Sequence, residues 1–278
     1  MSTLPLDTVF ELGDHITQEQ EAFLEVHGFV HFRGVASPKE VEKIIEEHKE
    51  ICAKHMKEGR ESVYGIPIFY GRDEDGEVLL NRSPFSSVFS QVIRDFVRDP
   101  RFEPIRRLIG EDARVGDEEK DGVVINFFKN VPGSVYPSLG WHTDGLRDLF
   151  YGRMPDRMLN VGLHFNKVTK KEGGLRLIPG THRQGFWAMA FSKPYFVWHR
   201  EDPREVCIET EPGDLTIHDG RLWHRVARSS QVGDASIRRS MYVPYVTGPY
   251  EPKNPESEPP AYHRLFSVLR AVQSRLRA

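Results

Sequence analysis

Apolar residues recur at helical spacing in the first sixty residues and alternate with polar ones in short runs through much of the remaining chain. Thr17 followed by Gln20, and Ser37-Pro38 followed by Glu40, are capping-box patterns that predict two helix starts, the second with proline in the first turn. Gly28 ends the first helix, and Phe29 to Val35 reads as a strand. The second helix, Pro38 to about Glu58, carries Val41, Ile44, Ile45, Ile51 and Cys52 on one face and is expected to pack outside a sheet. Tyr64 to Leu80 alternates and breaks at Asp73-Glu-Asp-Gly76, a hairpin signal. Ser86 to Val97 and Phe102 to Ile109 read as two short helices parted by Asp99-Pro100. From Gly122 onward short apolar runs are punctuated by Gly, Pro and Asp, the texture of antiparallel β structure. Pro249 to Pro260 predicts a surface connection, and Tyr262 to Arg277 a last helix with Leu265, Phe266, Leu269, Val272 and Leu276 on one face.

The expected organisation is therefore a single domain over 1–278. A helical part with the first strands occupies 1–110, a β-barrel core 111–248, and the connection and last helix 249–278. A length of 278 residues suits one barrel with flanking helices. The balance of 38 basic against 41 acidic residues gives a formal charge of −3, which gives no global field toward nucleic acid or an acidic membrane. Cys52 and Cys207 make no disulfide framework and fit a reducing compartment. Met1 to Phe10 lacks a signal-peptide pattern, and no run approaches the roughly 20 apolar residues of a membrane span. A cytoplasmic protein without a nucleic-acid, membrane or protein partner is the expectation.

The chemistry concentrates in Gly140-Trp-His-Thr-Asp-Gly145. In an extended strand residues two apart share a face, so His142 and Asp144 can reach one metal ion while Thr143 points away. A distant histidine on a neighbouring strand, His218 or His224, completes a set that occupies one face of a ferrous ion and leaves the other open. Cysteine-rich zinc or cluster sets are not available here.

The order of motifs around this centre runs Asp121-Gly-Val-Val-Ile-Asn-Phe-Phe-Lys129, Asn160-Val-Gly-Leu-His-Phe165, Gly173-Gly-Leu-Arg-Leu-Ile-Pro-Gly-Thr-His-Arg183, Pro212 to His224 and Arg238-Arg-Ser240. It resembles the phytanoyl-CoA dioxygenase family of iron(II)- and 2-oxoglutarate-dependent oxygenases over nearly the whole chain. The resemblance implies a mainly β fold with flanking helices, a double-stranded β-helix of the jelly-roll or cupin type. It also implies Fe(2+) as cofactor, 2-oxoglutarate and O2 as cosubstrates, and a small-molecule substrate hydroxylated with release of succinate and CO2. Asp144 stands where related halogenases carry a small residue, which implies oxidation and not halogenation.

Family position prefers His224 as third ligand and makes His218 a supporting group. It also favours Arg238 over Arg239 for 2-oxoglutarate, whose distal carboxylate a guanidinium can grip through two parallel hydrogen bonds. The turn Ser229 to Ser236 is longer than usual and leaves that register open by one residue. Asn126 is a candidate for the keto-acid end. Arg147, Phe150, Tyr64 and Trp187 are candidates for the substrate wall. Two rival readings use the same residues: a cupin-like metal-dependent hydrolase or isomerase, and a non-catalytic protein that binds 2-oxoglutarate or metal.

Overall fold

The structure, a computed structural model, describes residues 4–132, 134 and 137–260. The expected last helix, Tyr262 to Arg277, lies outside them. In chain order α1 (Gln18–His27), β1 (Phe29–Phe32) and α2 (Pro38–Glu58) come first. The hairpins β2 (Ser62–Val63) with β3 (Ile66–Pro67) and β4 (Phe69–Arg72) with β5 (Val78–Ser83) come after them. Short helices α3 (Ser86–Phe89), α4 (Gln91–Val97) and α5 (Glu103–Arg107) lead to β6 (Arg114–Val115) and β7 (Val124–Phe128). Next come β8 (Leu139–His142), α6 (Leu146–Phe150), β9 (Leu159–His164), β10 (Gly174–Leu177), α7 (Phe186–Phe191) and β11 (Val206–Cys207). The last strands are β12 (Leu215–Asp219), β13 (His224–Ala227) and β14 (Arg238–Val246).

Both predicted capping boxes form. The Thr17 hydroxyl accepts from the Gln20 N–H at 3.2 Å and the Gln20 side chain accepts from the Thr17 N–H at 2.9 Å; Ser37 and Glu40 repeat the exchange. Each cap contributes about 0.5–2 kcal/mol to its helix. Gly28 and Gly59 end these helices at φ 82° and 60°, a left-handed region closed to most side chains. The expected helix over Ser86 to Val97 is broken at Ser90, whose extended backbone restarts the chain and whose hydroxyl caps α4 through the Ile93 N–H. The expected helix from Phe102 shortens to α5 behind a 3-10 turn, Pro100–Phe102.

Two antiparallel sheets make the double-stranded β-helix. The larger runs β1-β12-β9-β14-β7-β5-β4 with β6 on β14, and the smaller β11-β10-β13-β8. Strand alternation gives the larger sheet two different faces. Met241, Val243 and Tyr245 of β14, Val161 and Leu163 of β9, and Leu215 and Ile217 of β12 enter a buried core with Phe23, Leu24, Val41, Ile44, Ile51, Ile93 and Phe96 of the helices. Each such aliphatic or aromatic side chain removed from water is worth about 1.5–3 kcal/mol. Ser240 and Tyr242, Asn160, and His218 of the same strands face the opposite way, into a cavity closed on its other side by Leu139, His142, Leu175, His224 and Val226 of the smaller sheet. Gly162 is required on that inner face, because the Tyr242 ring lies where a β-carbon would stand.

Candidate metal centre

His142 closes β8 and stands directly opposite His224, the first residue of β13, with ring centroids 4.0 Å apart. Asp144 lies just beyond the strand end. Its N–H donates to the Gly220 carbonyl at 2.7 Å, which ties the turn after β8 to the turn before β13 and aims the carboxylate at both imidazoles. Thr143 points away, its hydroxyl 2.7 Å from that of Tyr195. Among the described residues His142, Asp144 and His224 form a group whose potential ligand atoms all lie within 4.8 Å of one another. His224 Nε2 is 3.7 Å from Asp144 Oδ1.

The tautomers of both imidazoles are set by the backbone. His142 Nδ1 lies 2.8 Å from the Gly140 carbonyl and His224 Nδ1 3.0 Å from the Leu222 carbonyl. A carbonyl only accepts, so each Nδ1 carries the proton and each Nε2 lone pair is free for a metal. Burial pushes the pKa of both rings down, that of His224 well down, with the neighbouring His142 adding to the effect there. Burial alone would raise the Asp144 carboxyl, yet the facing imidazoles of His224, His218 and His142 bring it below the usual range. Two neutral imidazoles and one carboxylate, with no cysteine among them, fit a divalent iron.

Asp144 Oδ2 is held from behind. The Asn160 amide donates to it at 3.2 Å, and His218 Nε2 lies 3.5 Å away. His218 thus stands at the opposite oxygen of the carboxylate from His224. Asn160 was not among the expected site residues; its signal is the polar alternation of Asn160, Gly162 and His164 against Val161 and Leu163. His164 is hydrogen-bonded to Thr216 at 2.9 Å, and burial lowers its pKa to about 3, so it stays neutral.

Arg238 and Arg239 point to opposite faces. Arg239 lies over Phe127 on the helix side, 4.7 Å from the ring centroid, close to Cys52. Arg238 shares the inner face with Ser240 and Tyr242 and lies over Phe128, which lines the cavity, at 5.2 Å. Its guanidinium stands one layer behind the lining, donates to the Ala227 and Pro137 carbonyls at 2.6 and 3.0 Å, and leaves a buried Nε–H without an acceptor among the described residues. Burial, with Arg176 nearby, lowers its pKa to about 10, so it is cationic at neutral pH. No carboxylate of the described residues pairs with it within 4 Å.

The cavity has a volume of about 510 Å³ and takes in Asn126 and Arg147 of the expected residues. Phe150 and Trp187 do not line it: they are turned to solvent, 48% and 74% exposed. Tyr64 packs against Phe85 instead, 5.0 Å between ring centroids, under the hairpin. Spacing along the chain could not distinguish Tyr151, which borders the cavity while staying largely exposed, from Phe150 next to it, which does not. Phe196, from the connection after α7, stacks on His142 at 4.8 Å and forms part of the wall.

A family model described as phytanoyl-CoA dioxygenase (PhyH) matches residues 24–232. A probable alpha-ketoglutarate-dependent hypophosphite dioxygenase of Stutzerimonas stutzeri is 26% identical over 235 residues, which is 80% of this chain and 75% of that protein. Among solved structures, the carbocyclase SnoK from nogalamycin biosynthesis aligns with a TM-score of 0.59 at 20% identity, over 86% of this chain and 93% of its own. The epimerase SnoN of the same biosynthesis also gives 0.59, at 18% identity over 86% and 84% of the two chains. EvdO2 of Micromonospora carbonacea var. aurantiaca, solved with 2-oxoglutarate, gives 0.57 at 17% identity over 88% and 96%. No helix among the described residues is long and apolar enough to cross a membrane.

Proposed function

Since the chain belongs to the phytanoyl-CoA dioxygenase family, whose members are iron(II)- and 2-oxoglutarate-dependent oxygenases, we propose that it hydroxylates an unactivated C–H bond of a small molecule at the centre formed by His142, Asp144 and His224. The observation that carries this reading is the convergence of those three donors at the inner end of a 510 Å³ cavity, with both imidazole tautomers fixed for ligation. Bound iron and 2-oxoglutarate supply the activation of dioxygen, one oxygen atom passing to the substrate carbon and the other to succinate as carbon dioxide is lost. On this reading the described residues act as one oxygenase domain, supported by a buried core that joins Phe23 of α1 to Tyr245 of β14.

The protein's own groups divide the remaining work. Arg238 offers its buried cation and unpaired Nε–H to the distal carboxylate of 2-oxoglutarate, a charge-assisted contact with no competing carboxylate among the described residues. Asn126, on the cavity wall beside Ser240, faces the keto-acid end. Asn160 and His218 hold Asp144 with one oxygen toward the histidines. Phe196, Leu175 and Val226 exclude water from the side nearest His142 and His224.

Purified protein supplied with iron(II), oxygen and 2-oxoglutarate should release succinate in proportion to 2-oxoglutarate consumed, accelerated by a true substrate whose product gains one oxygen atom. Product formation that needs neither oxygen nor 2-oxoglutarate would replace this reading with the hydrolase or isomerase one. The contact behind the carboxylate has its own signature. Asn160→Ala should weaken iron binding about 10–100-fold, the usual cost of losing an outer partner of a ligand, measured by competition with a chelator. An unchanged affinity would mean that His218 suffices to orient Asp144.

A further inference from the structure

The charges at the cavity mouth are not balanced. Arg82, Lys120, Arg147 and Lys253 line it, against Asp121 and Glu258 besides the ligand Asp144. Arg82 and Asp121 neutralise one another in a direct ion pair. Arg147 is paired at 2.7 Å with Glu251, which stands outside the lining, and Lys120 lies 3.8 Å from Asp148. Lys253 has no carboxylate within 4 Å of its ammonium group among the described residues. Burial lowers its pKa, and the nearby Arg147 lowers it further against the opposing pull of Asp121 and Glu251. Holding a partly desolvated ammonium beside a guanidinium costs free energy that a bound anion would recover.

The segment that carries Lys253 is fixed before any ligand arrives. Arg114 donates to the Gly248 and Pro249 carbonyls at 2.9 Å each, the Glu251 N–H donates to Glu119 at 3.0 Å, and the Lys253 N–H donates to the Glu118 carbonyl at 2.7 Å. Further along, the backbone of Glu258 lies 2.6 Å from where a β-carbon of Gly65 would stand, so the strap is seated on the Tyr64-Gly65 turn. Lys120 faces the same opening from a left-handed backbone position, φ 55°, on the turn before β7. The cations are thus presented by pinned backbone, which reduces the ordering cost of binding.

We propose that Lys253 and Lys120, with Arg147 beside them, form an anion subsite at the cavity mouth, so that the molecule oxidised carries a carboxylate or a phosphate-type group anchored there while its reacting carbon lies toward His142, Asp144 and His224. This deepens the oxygenase reading and rests on it. It also separates two anions by place: 2-oxoglutarate on the Phe128 side of the cavity, toward Arg238, and the substrate's acidic group beside Lys253 and Lys120.

The test uses the full chain loaded anaerobically with iron(II) and 2-oxoglutarate, and three probes of matched length, hexyl phosphate, hexanoate and uncharged hexanol, measured by calorimetry. At least one anionic probe should bind at least about tenfold more tightly than hexanol, the worth of a charge-assisted contact. Lys253→Gln should abolish that preference, Lys253→Arg should keep it, and neither should change the affinity for 2-oxoglutarate. Which anion binds better identifies the group. Anionic probes that bind no better than hexanol, or as well to Lys253→Gln as to the natural chain, would overturn the subsite. So would a Lys253→Gln variant that loses 2-oxoglutarate affinity, since the lysine would then belong to the cosubstrate. A natural chain that takes up no 2-oxoglutarate refutes the oxygenase reading itself, a separate result.

Discussion

His224→Ala should release no succinate above background and should hold iron far more weakly than the natural protein. The loss should exceed the roughly 10–100-fold that an outer partner of a ligand costs, because a donor atom itself is removed. His224 and His142 face each other across β13 and β8, and alanine would leave His142 and Asp144 as the remaining two donors of the group. Among the described residues His218 is a nearby ring that could compensate, with its centroid 4.5 Å from that of His224 and both its nitrogens buried without hydrogen-bond partners. It is turned to the wrong oxygen, however. Its Nε2 approaches Asp144 Oδ2, whereas His224 addresses Oδ1. His218→Ala should accordingly cost less than His224→Ala in both iron affinity and turnover. The reverse order would transfer the third ligand to His218. Urea midpoints of both variants distinguish loss of the site from loss of the fold.

The second large effect belongs to Arg238→Gln. Removing one partner from a buried, hydrogen-bonded charge pair costs about 2–5 kcal/mol, which at roughly 1.4 kcal/mol per tenfold is on the order of 30-fold or more in affinity for 2-oxoglutarate. Glutamine removes the cation and, being shorter, also withdraws the donors to the Ala227 and Pro137 carbonyls, so a urea midpoint measured alongside separates loss of the charge from loss of the fold. The loss should appear in KM for 2-oxoglutarate, with a smaller change in kcat at saturation. Arg239→Gln should leave that KM unchanged, because Arg239 lies on the helix face over Phe127 and near Cys52. Equal effects of the two substitutions would remove the assignment to Arg238. With its pKa near 10 the Arg238 guanidinium stays charged through the neutral range, so its contribution to cosubstrate binding should fade only as pH rises toward that value.

Much of this architecture is legible in the residues because local rules and tertiary demands agree. The capping boxes at Thr17 and Ser37 form where their patterns place them, and the stripe from Val41 to Ile51 docks on the outer face of the larger sheet. His142, Asp144 and His224 converge because antiparallel register brings His224 opposite His142, while Asp144 is placed by the turn after β8, which its N–H ties to Gly220. Less is legible where neighbouring side chains of like character diverge. Phe150 and Tyr151 are adjacent, similarly exposed aromatics at the end of one short helix, and only the second borders the cavity. Trp187 sits in a region rich in aromatics, yet it stacks on Phe191 in solvent while Phe196 covers His142. Lys253 and Asn160 give no chemical signal in isolation. Their meaning comes from long-range packing: one strap seated on Gly65, and one strand whose inward positions meet Asp144.

On the proposed function the cavity holds iron through His142, Asp144 and His224 and seats 2-oxoglutarate toward Arg238. The most direct measurement is anaerobic titration of 2-oxoglutarate into the iron(II)-loaded protein, recording the visible charge-transfer absorption of a keto-acid chelate. The absorption should rise and saturate in the natural chain, require much more 2-oxoglutarate in Arg238→Gln, and fail to appear in His224→Ala. Iron demonstrably bound to the natural chain with no such absorption at any 2-oxoglutarate concentration would contradict the account and favour a metal-dependent hydrolase or isomerase at the same three residues.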